Sequence, residues 1–225
     1  STAEIAIDEI KMTFSTTTGF LDSIVTIPLN FEWVGKSTLP STAVIGKNDL
    51  FKNIVDVHFV EIYEEDFIGI LQTIVGETAR LNTRFSILDD LPVIIIEPRL
   101  LLTELMPTEN IVFHLLQFEL NKNIDTSQLQ IKTLKTHHYL GLENKFGLIF
   151  HSEIPSRIEL SNNRDIKVTF QLEAPKNRTG EMKIPSCYIS SISEEKLGNL
   201  DLLHLKVTQK YQNYLRKLKE KNLYG

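Results

Sequence analysis

Val25-Thr26-Ile27-Pro28-Leu29-Asn30-Phe31-Glu32-Trp33 is the stretch on which the fold turns. Val25, Ile27, Leu29, Phe31 and Trp33 alternate with Thr26, Pro28, Asn30 and Glu32, the period of a strand with one dry face and one wet face. Ile166, Val168, Phe170 and Leu172 repeat the rhythm against Lys167, Thr169 and Gln171. Two half-buried strands this far apart in sequence indicate an antiparallel sheet covered on one side. Pro28 has no amide hydrogen, which assigns the first strand to a sheet edge or to one-sided pairing.

Shorter signals extend the pattern in both directions. Ile5 and Ile7 share one parity and Ile10, Met12 and Phe14 the other, and a bulge at Asp8-Glu9 would return all five to one face. Residues 35–49, rich in Gly, Ser, Thr, Pro and Asn, read as a loop. Residues 54–63 carry apolar side chains on both parities and read as a strand buried on much of both faces. Val93–Ile96 reads as a buried strand bounded by Pro92 and Pro98. Residues 111–120, 129–134, 146–150, 158–160 and 182–184 add short strands, a spacing typical of sandwiches and barrels.

Two segments carry helical spacing. Phe67, Ile70, Leu71, Ile74, Val75 and Leu81 follow Glu64, Glu65 and Asp66, which predicts a covering helix near 64–82. Gly69 and Gly76 weaken it by about 1 kcal/mol each relative to alanine. Leu200, Leu203, Val207, Tyr211, Tyr214 and Leu218 recur at intervals of three and four, which predicts an amphipathic helix near 199–222 with Asn199 as its N-cap. The expected architecture is a β-rich α+β fold. It comprises a two-layer, mostly antiparallel sheet or sandwich over residues 1–198, with 85–107 as the place where sub-sheets would divide, and a C-terminal helix over 199–225.

With 42% hydrophobic and 24% charged residues in 225, the chain has material for a sizeable core, and its net charge of −5 gives no general attraction to phosphate backbones. The longest apolar run, Leu91–Ile96, is interrupted by a proline and is far too short to span a bilayer. Cys187 has no second cysteine to pair with, which favours an intracellular setting, cytoplasmic or nuclear. The chain begins at Ser1 without an apolar leader, as expected of a fragment or a processed product. Asn177-Arg178-Thr179 matches a glycosylation acceptor, a triplet that also arises by chance.

Chemical motifs are sparse. Gly35-Lys36-Ser37 lacks the upstream glycine of a phosphate loop, because Asn30 stands there. On a strand, His58 and Glu61 point to opposite faces, which argues against a shared metal. His137 and His138 likewise cannot easily bind one ion unless a turn brings them together, and Tyr139 and Leu140 suggest continued strand. His137, His138 and His151, with Ser152 and Glu153 beside them, form the one set from which a loop-assembled enzyme site can be imagined. No nucleophile elbow accompanies them. Cys187 reads as a small buried apolar residue. Lys176, Arg178 and Lys183 mark a modest basic hairpin loop.

The sequence therefore favours a non-catalytic adaptor subunit of a multiprotein complex, with no cofactor and no metal site. Its partners would be other protein subunits, docked at an exposed sheet edge or on the helix through Leu203, Val207, Tyr211, Tyr214 and Leu218. The same stripe can instead pack back on the sheet. The alternatives are an enzyme built around the three histidines and a nucleic-acid-associated subunit using the basic end of the helix.

Overall fold

The computed structural model describes residues 1–65, 67–88, 91–104, 110–134, 137–173 and 180–224, with the side chains of 218 and 222–224 outside the description. Among the described residues, eighteen strands form three antiparallel sheets, and one long α-helix follows them. In chain order the strands are β1 (Thr2–Ala6), β2 (Ile10–Ser15), β3 (Leu21–Thr26), β4 (Phe31–Glu32), β5 (Thr42–Ile45), β6 (Asn48–Asp49), β7 (Ile54–Glu64), β8 (Phe67–Gly76) and β9 (Ala79–Leu88). They continue as β10 (Ile94–Leu102), β11 (Ile111–Glu119), β12 (Leu129–Leu134), β13 (His137–Leu142), β14 (Phe146–Ser152), β15 (Arg157–Ser161), β16 (Asp165–Leu172), β17 (Gly180–Lys183) and β18 (Cys187–Ser193). The helix, α1, spans Leu200–Tyr224.

The largest sheet runs β12-β13-β14-β18-β10-β9-β8-β7, with β17 also paired to β10. A four-stranded sheet, β1 to β4 in order, and a five-stranded one, β15-β16-β11-β5-β6, complete the set. Bridges Val34↔Leu120 and Leu21↔Thr38 tie the two smaller sheets together. Buried residues of all three sheets form one continuous core, including Phe14, Trp33, Phe85, Phe113 and Phe150. The β-sandwich expectation therefore holds, and the sheet passes unbroken through residues 94–102, where β9 pairs with β10.

The deciding stretch breaks where its proline stands. Val25 and Thr26 end β3, Ile27–Leu29 turn through a short 3-10 helix with Pro28 in its first positions, and Phe31–Glu32 return as β4. Pro28 thus starts a turn, where its fixed φ fits, and Asn30 closes it in the left-handed region at φ 48. Trp33 is buried under this corner, and its indole N–H donates to Thr26 Oγ1 at 2.9 Å. The parity slip at Asp8-Glu9 is a hairpin turn rather than a bulge. Pairing of Ile5 with Met12 and Ala3 with Phe14 still brings these side chains to one face.

The helix expected over 64–82 is absent, since β8 and β9 form a hairpin there. Ile70 and Ile74 point into the main core, while Phe67 points to the opposite face, so apolar residues on both parities mimic helical spacing. Gly76 shows why this is a strand end: a Cβ there would lie 2.6 Å from the Leu50 carbonyl oxygen. Residues 54–63 do form a strand, but β7 is the last in its sheet and none of its residues is buried. The loop over 35–49 contains the β5–β6 hairpin.

Pro98 lies inside β10 rather than at its end. It sits where β10 changes partner, from β18 at Ile94–Ile96 to β17 at Arg99–Leu102, so no ladder acceptor is left unserved. The run Val93–Ile96 is apolar on both parities because this sheet is covered twice. Ile94 and Ile96 face the main core, and Val93 and Ile95 face the helix.

Candidate functional site

The outer face of the largest sheet, beneath α1, gathers the chain's polar chemistry. Phe67, Leu88, Leu91, Val93, Ile95 and Tyr188 form an apolar bed on which Val207 is buried and Leu203, Tyr211 and Tyr214 pack. Four residues named as partner contacts thus engage the chain's own sheet, and the side chain of Leu218 lies outside the described residues. Asn199 does not cap the helix: it ends a 3-10 turn, Glu194–Asn199, that runs directly into α1. Near the middle of the helix, Tyr211 donates its hydroxyl hydrogen to Glu97, which also accepts from Arg84 Nε at 3.2 Å. Burial and the facing Glu97 carboxylate push the Tyr211 phenol well above its ordinary range.

Under the first turns of α1, three imidazoles converge. His137 on β13 and His151 on β14 stand directly opposite each other in the ladder, with ring centroids 4.5 Å apart. His204 descends from the helix with its ring centroid 3.9 Å from that of His151 and 5.8 Å from that of His137. One ring nitrogen of each lies within 4.8 Å of those of the other two. Tyr188 on β18 stacks on His151, with centroids 4.7 Å apart, and its hydroxyl lies 2.5 Å from His204 Nδ1 and 3.3 Å from Thr208 Oγ1. Burial holds the Tyr188 phenol up at about 12. Burial, then the neighbouring His204, lowers the His137 pKa, against Asp201 and a hydrogen bond to the Leu134 backbone, which raise it. The group is therefore a cluster of three imidazoles, His137 and His151 buried and His204 half-buried at the edge of the helix.

His138 points to the other face of the sheet, as strand geometry requires. Its Nε2 lies 2.8 Å from Ser156 Oγ and its Nδ1 3.1 Å from Thr133 Oγ1. Ser152 Oγ is 2.7 Å from that same Ser156 hydroxyl, and Glu153 accepts from Ser186. The expected histidine set is thereby corrected twice. His137, His138 and His151 sit on strands rather than loops, and only His137 and His151 share a site. Sequence spacing paired neither with His204, because the link between β14 and α1 is closed by the fold alone. His58, exposed on β7, contacts Asp56 at 2.8 Å. Cys187 is buried, and that burial pushes its thiol far above the ordinary range. Lys176, Arg178 and the Asn177 acceptor triplet lie outside the described residues.

Beside the helix start opens a cleft of about 440 Å³, lined by Glu9, Thr26, Phe146, Ser190–Ser193, Lys196, Asn199, Leu200 and Leu203 among others. Ser191 Oγ is 2.8 Å from Thr26 Oγ1, and Ser190 donates to the Pro92 carbonyl at 2.7 Å. No described helix is long and apolar enough to cross a membrane.

No protein-family model and no curated protein matches the chain. Solved structures do. An α-N-acetylgalactosaminidase from Bifidobacterium bifidum, in complex with GalNAc, aligns with a TM-score of 0.61 at 10% identity, over 96% of this chain and 39% of its own. A heparan sulfate lyase HepC mutant from Pedobacter heparinus aligns at 0.53 and 10% identity, over 85% of this chain and 35% of its own. A putative aldose 1-epimerase from Escherichia coli K12 aligns at 0.52 and 7% identity, over 86% of this chain and 99% of its own. At such identities the shared property is the β-sandwich fold. The chain spans well under half the length of the first two enzymes. The adaptor expectation is overturned here: these fold neighbours are carbohydrate-active enzymes rather than adaptor subunits.

Proposed function

We propose that the chain is the β-sandwich portion of a carbohydrate-active enzyme and that the cleft at the helix start meets a saccharide. The observation that carries this reading is the extent of the fold match, nearly the whole of this chain against a minority of a larger glycosidase. The cleft's chemistry supports it. Its size is that of a small-molecule site, Phe146, Leu200 and Leu203 offer an apolar floor for a sugar's C–H face, and Glu9, Lys196 and Asn199 offer groups for its hydroxyls. Two-carboxylate hydrolysis needs a pair of acids roughly 5 to 10 Å apart, whereas Glu9 is the sole carboxylate among the described residues of this lining. The cleft is accordingly read as a binding surface.

Titration of the chain with GalNAc, galactose and a heparan sulfate oligosaccharide, followed by amide shifts in two-dimensional NMR, tests the reading. Shifts confined to Thr26, Ser190–Ser193 and Asn199, weakened about tenfold by Asn199→Ala, are expected for the loss of a hydrogen bond or two. Spectra that stay unchanged at millimolar sugar refute it.

The match along nearly the full E. coli epimerase favours a second reading, a self-contained sugar epimerase. Anomer exchange needs acid and base groups open to the sugar, and His137 and His151 are each only 3% exposed. Polarimetry on freshly dissolved glucose decides between the two, with unaccelerated mutarotation expected.

A further inference from the structure

We infer that His137, His151 and His204 form a transition-metal site of the zinc class, three imidazole ligands with a fourth position for water, which clamps α1 to the outer face of the largest sheet. The inference stands apart from the saccharide reading and departs from the expectation of no metal.

Geometry comes first. A tetrahedral Zn²⁺ with nitrogen ligands at about 2.0–2.1 Å sets those nitrogens roughly 3.4 Å apart. The three ring nitrogens already lie within 4.8 Å of one another. The remaining closure is within the swing of imidazole rings, whose second side-chain torsion is broad. Two ligands come from directly opposed positions of a β-ladder and the third from a helix packed across it.

The surrounding hydrogen bonds point the same way. A neutral imidazole has one N–H and one lone pair. His137 spends its N–H on the Leu134 carbonyl. When His204 Nδ1–H donates to the Tyr188 hydroxyl, its Nε2 lone pair is left for a metal. Tyr188, relayed to Thr208, then fixes the ring in the manner of an outer-shell partner of a metal-ligating histidine. Asp201 lies one helical turn before His204, where its negative charge would offset part of a bound cation's. An all-imidazole set selects zinc, copper or nickel over calcium or magnesium, which demand oxygen.

The full chain, stripped with EDTA and dialysed, is titrated with Zn²⁺ in a calorimeter, with Co²⁺ as the spectroscopic probe. One equivalent of Zn²⁺ is expected to bind, and saturation should raise the melting temperature by roughly 5–10 °C when free metal stands about 100-fold above Kd. His204→Gln and His151→Gln should each lower affinity at least about 100-fold, and Tyr188→Phe about tenfold. His138→Gln and His58→Gln should bind as the parent does. Absence of stoichiometric Zn²⁺ binding at micromolar concentrations overturns the inference, as does unchanged affinity in His204→Gln. Loss of binding in His58→Gln also overturns it, by moving the site elsewhere. Where a histidine variant fails to fold by circular dichroism, the parent decides: Co²⁺ bands of a tetrahedral nitrogen site sustain the proposal and their absence ends it.

Discussion

Val207→Asp tests how α1 is held. Val207 is 1% exposed, the most deeply buried residue that the helix contributes to the outer apolar bed, among Phe67, Leu91, Ile95 and Tyr188. Trimming it to alanine removes two buried carbons at about 0.8 kcal/mol each, and with the cavity left behind the cost reaches roughly 2–3 kcal/mol. Aspartate costs more, about 3–5 kcal/mol, because its carboxylate would be stranded without a partner on a dry surface. That energy is spent on docking rather than on the sandwich, since none of these contacts belongs to the main core. The helix should therefore open locally while the sheets stay folded. Hydrogen exchange read by mass spectrometry should show amides 200–216 exchanging at least about 100-fold faster in Val207→Asp, with β9, β11 and β16 unchanged. Leu205, 51% exposed on the same helix, is the control, and its alanine variant should stay within about 0.5 kcal/mol of the parent. Equal helix exchange in parent and Val207→Asp would show that the docked face is wrongly assigned.

Three further outcomes follow from the same structure. Trp33→Ala should cost about 3–5 kcal/mol in urea unfolding, since it empties a fully buried site and removes the N–H that the Thr26 hydroxyl accepts, leaving that hydroxyl its contact with Ser191; a loss below 1 kcal/mol would contradict the corner packing (about one lost hydrogen bond). Gly76→Ala should lower stability by about 1–3 kcal/mol, because its methyl group would press on the Leu50 backbone rather than on a yielding side chain. His114 is held below the ordinary histidine pKa by burial and then by Lys167, with its Nδ1 2.8 Å from Thr169 Oγ1. The unfolded chain protonates that ring near pH 6.5 while the folded chain resists. Its contribution is thus complete above that pH and is lost as the pH falls through the lower folded value. The urea midpoint should drop more steeply between pH 7.5 and 5.5 in the parent than in His114→Gln; parallel curves would refute the assignment.

The class of fold was legible because alternation is a local property. Ile166 to Leu172 can bury one parity only as a strand, and β16 forms there. What failed was the segment 64–82, covered from two sides and read as a helix. In β8 the inner-facing Ile70 and Ile74 and the outer-facing Phe67 belong to different cores, and their superposition on one line of sequence imitates a 3.6-residue period. The glycines at 69 and 76 were the available correction. Both lie where a Cβ would crowd a neighbouring backbone carbonyl, at 3.2 Å and 2.6 Å, a pressure that strands against strands create and a helix surface does not. Proline misled in a related way. At 28 it opens a turn inside an unbroken alternation, and at 98 it continues a strand across a change of partner, so its meaning was set by neighbours remote in sequence.

The histidine cluster shows the limit most sharply. The strand rule correctly separated His137 from His138, and opposition across the β13–β14 hairpin brings His137 to His151. His204, by contrast, carried no signal of its own: on the helix it falls beside the apolar stripe of Leu203 and Val207 rather than within it. Only the crossing of α1 over β13, β14 and β18 converts that neighbouring position into the third corner of a nitrogen triangle, next to a tyrosine that the sheet, not the helix, supplies. Helix register and cluster geometry are therefore one variable. A one-residue shift of α1 would turn His204 by about 100° and dissolve the triangle together with the contacts of Val207 and Leu203 on the apolar bed. A metal bound here would hold the same register that the buried Val207 already selects, so that ligation and packing would reinforce one docking of the helix.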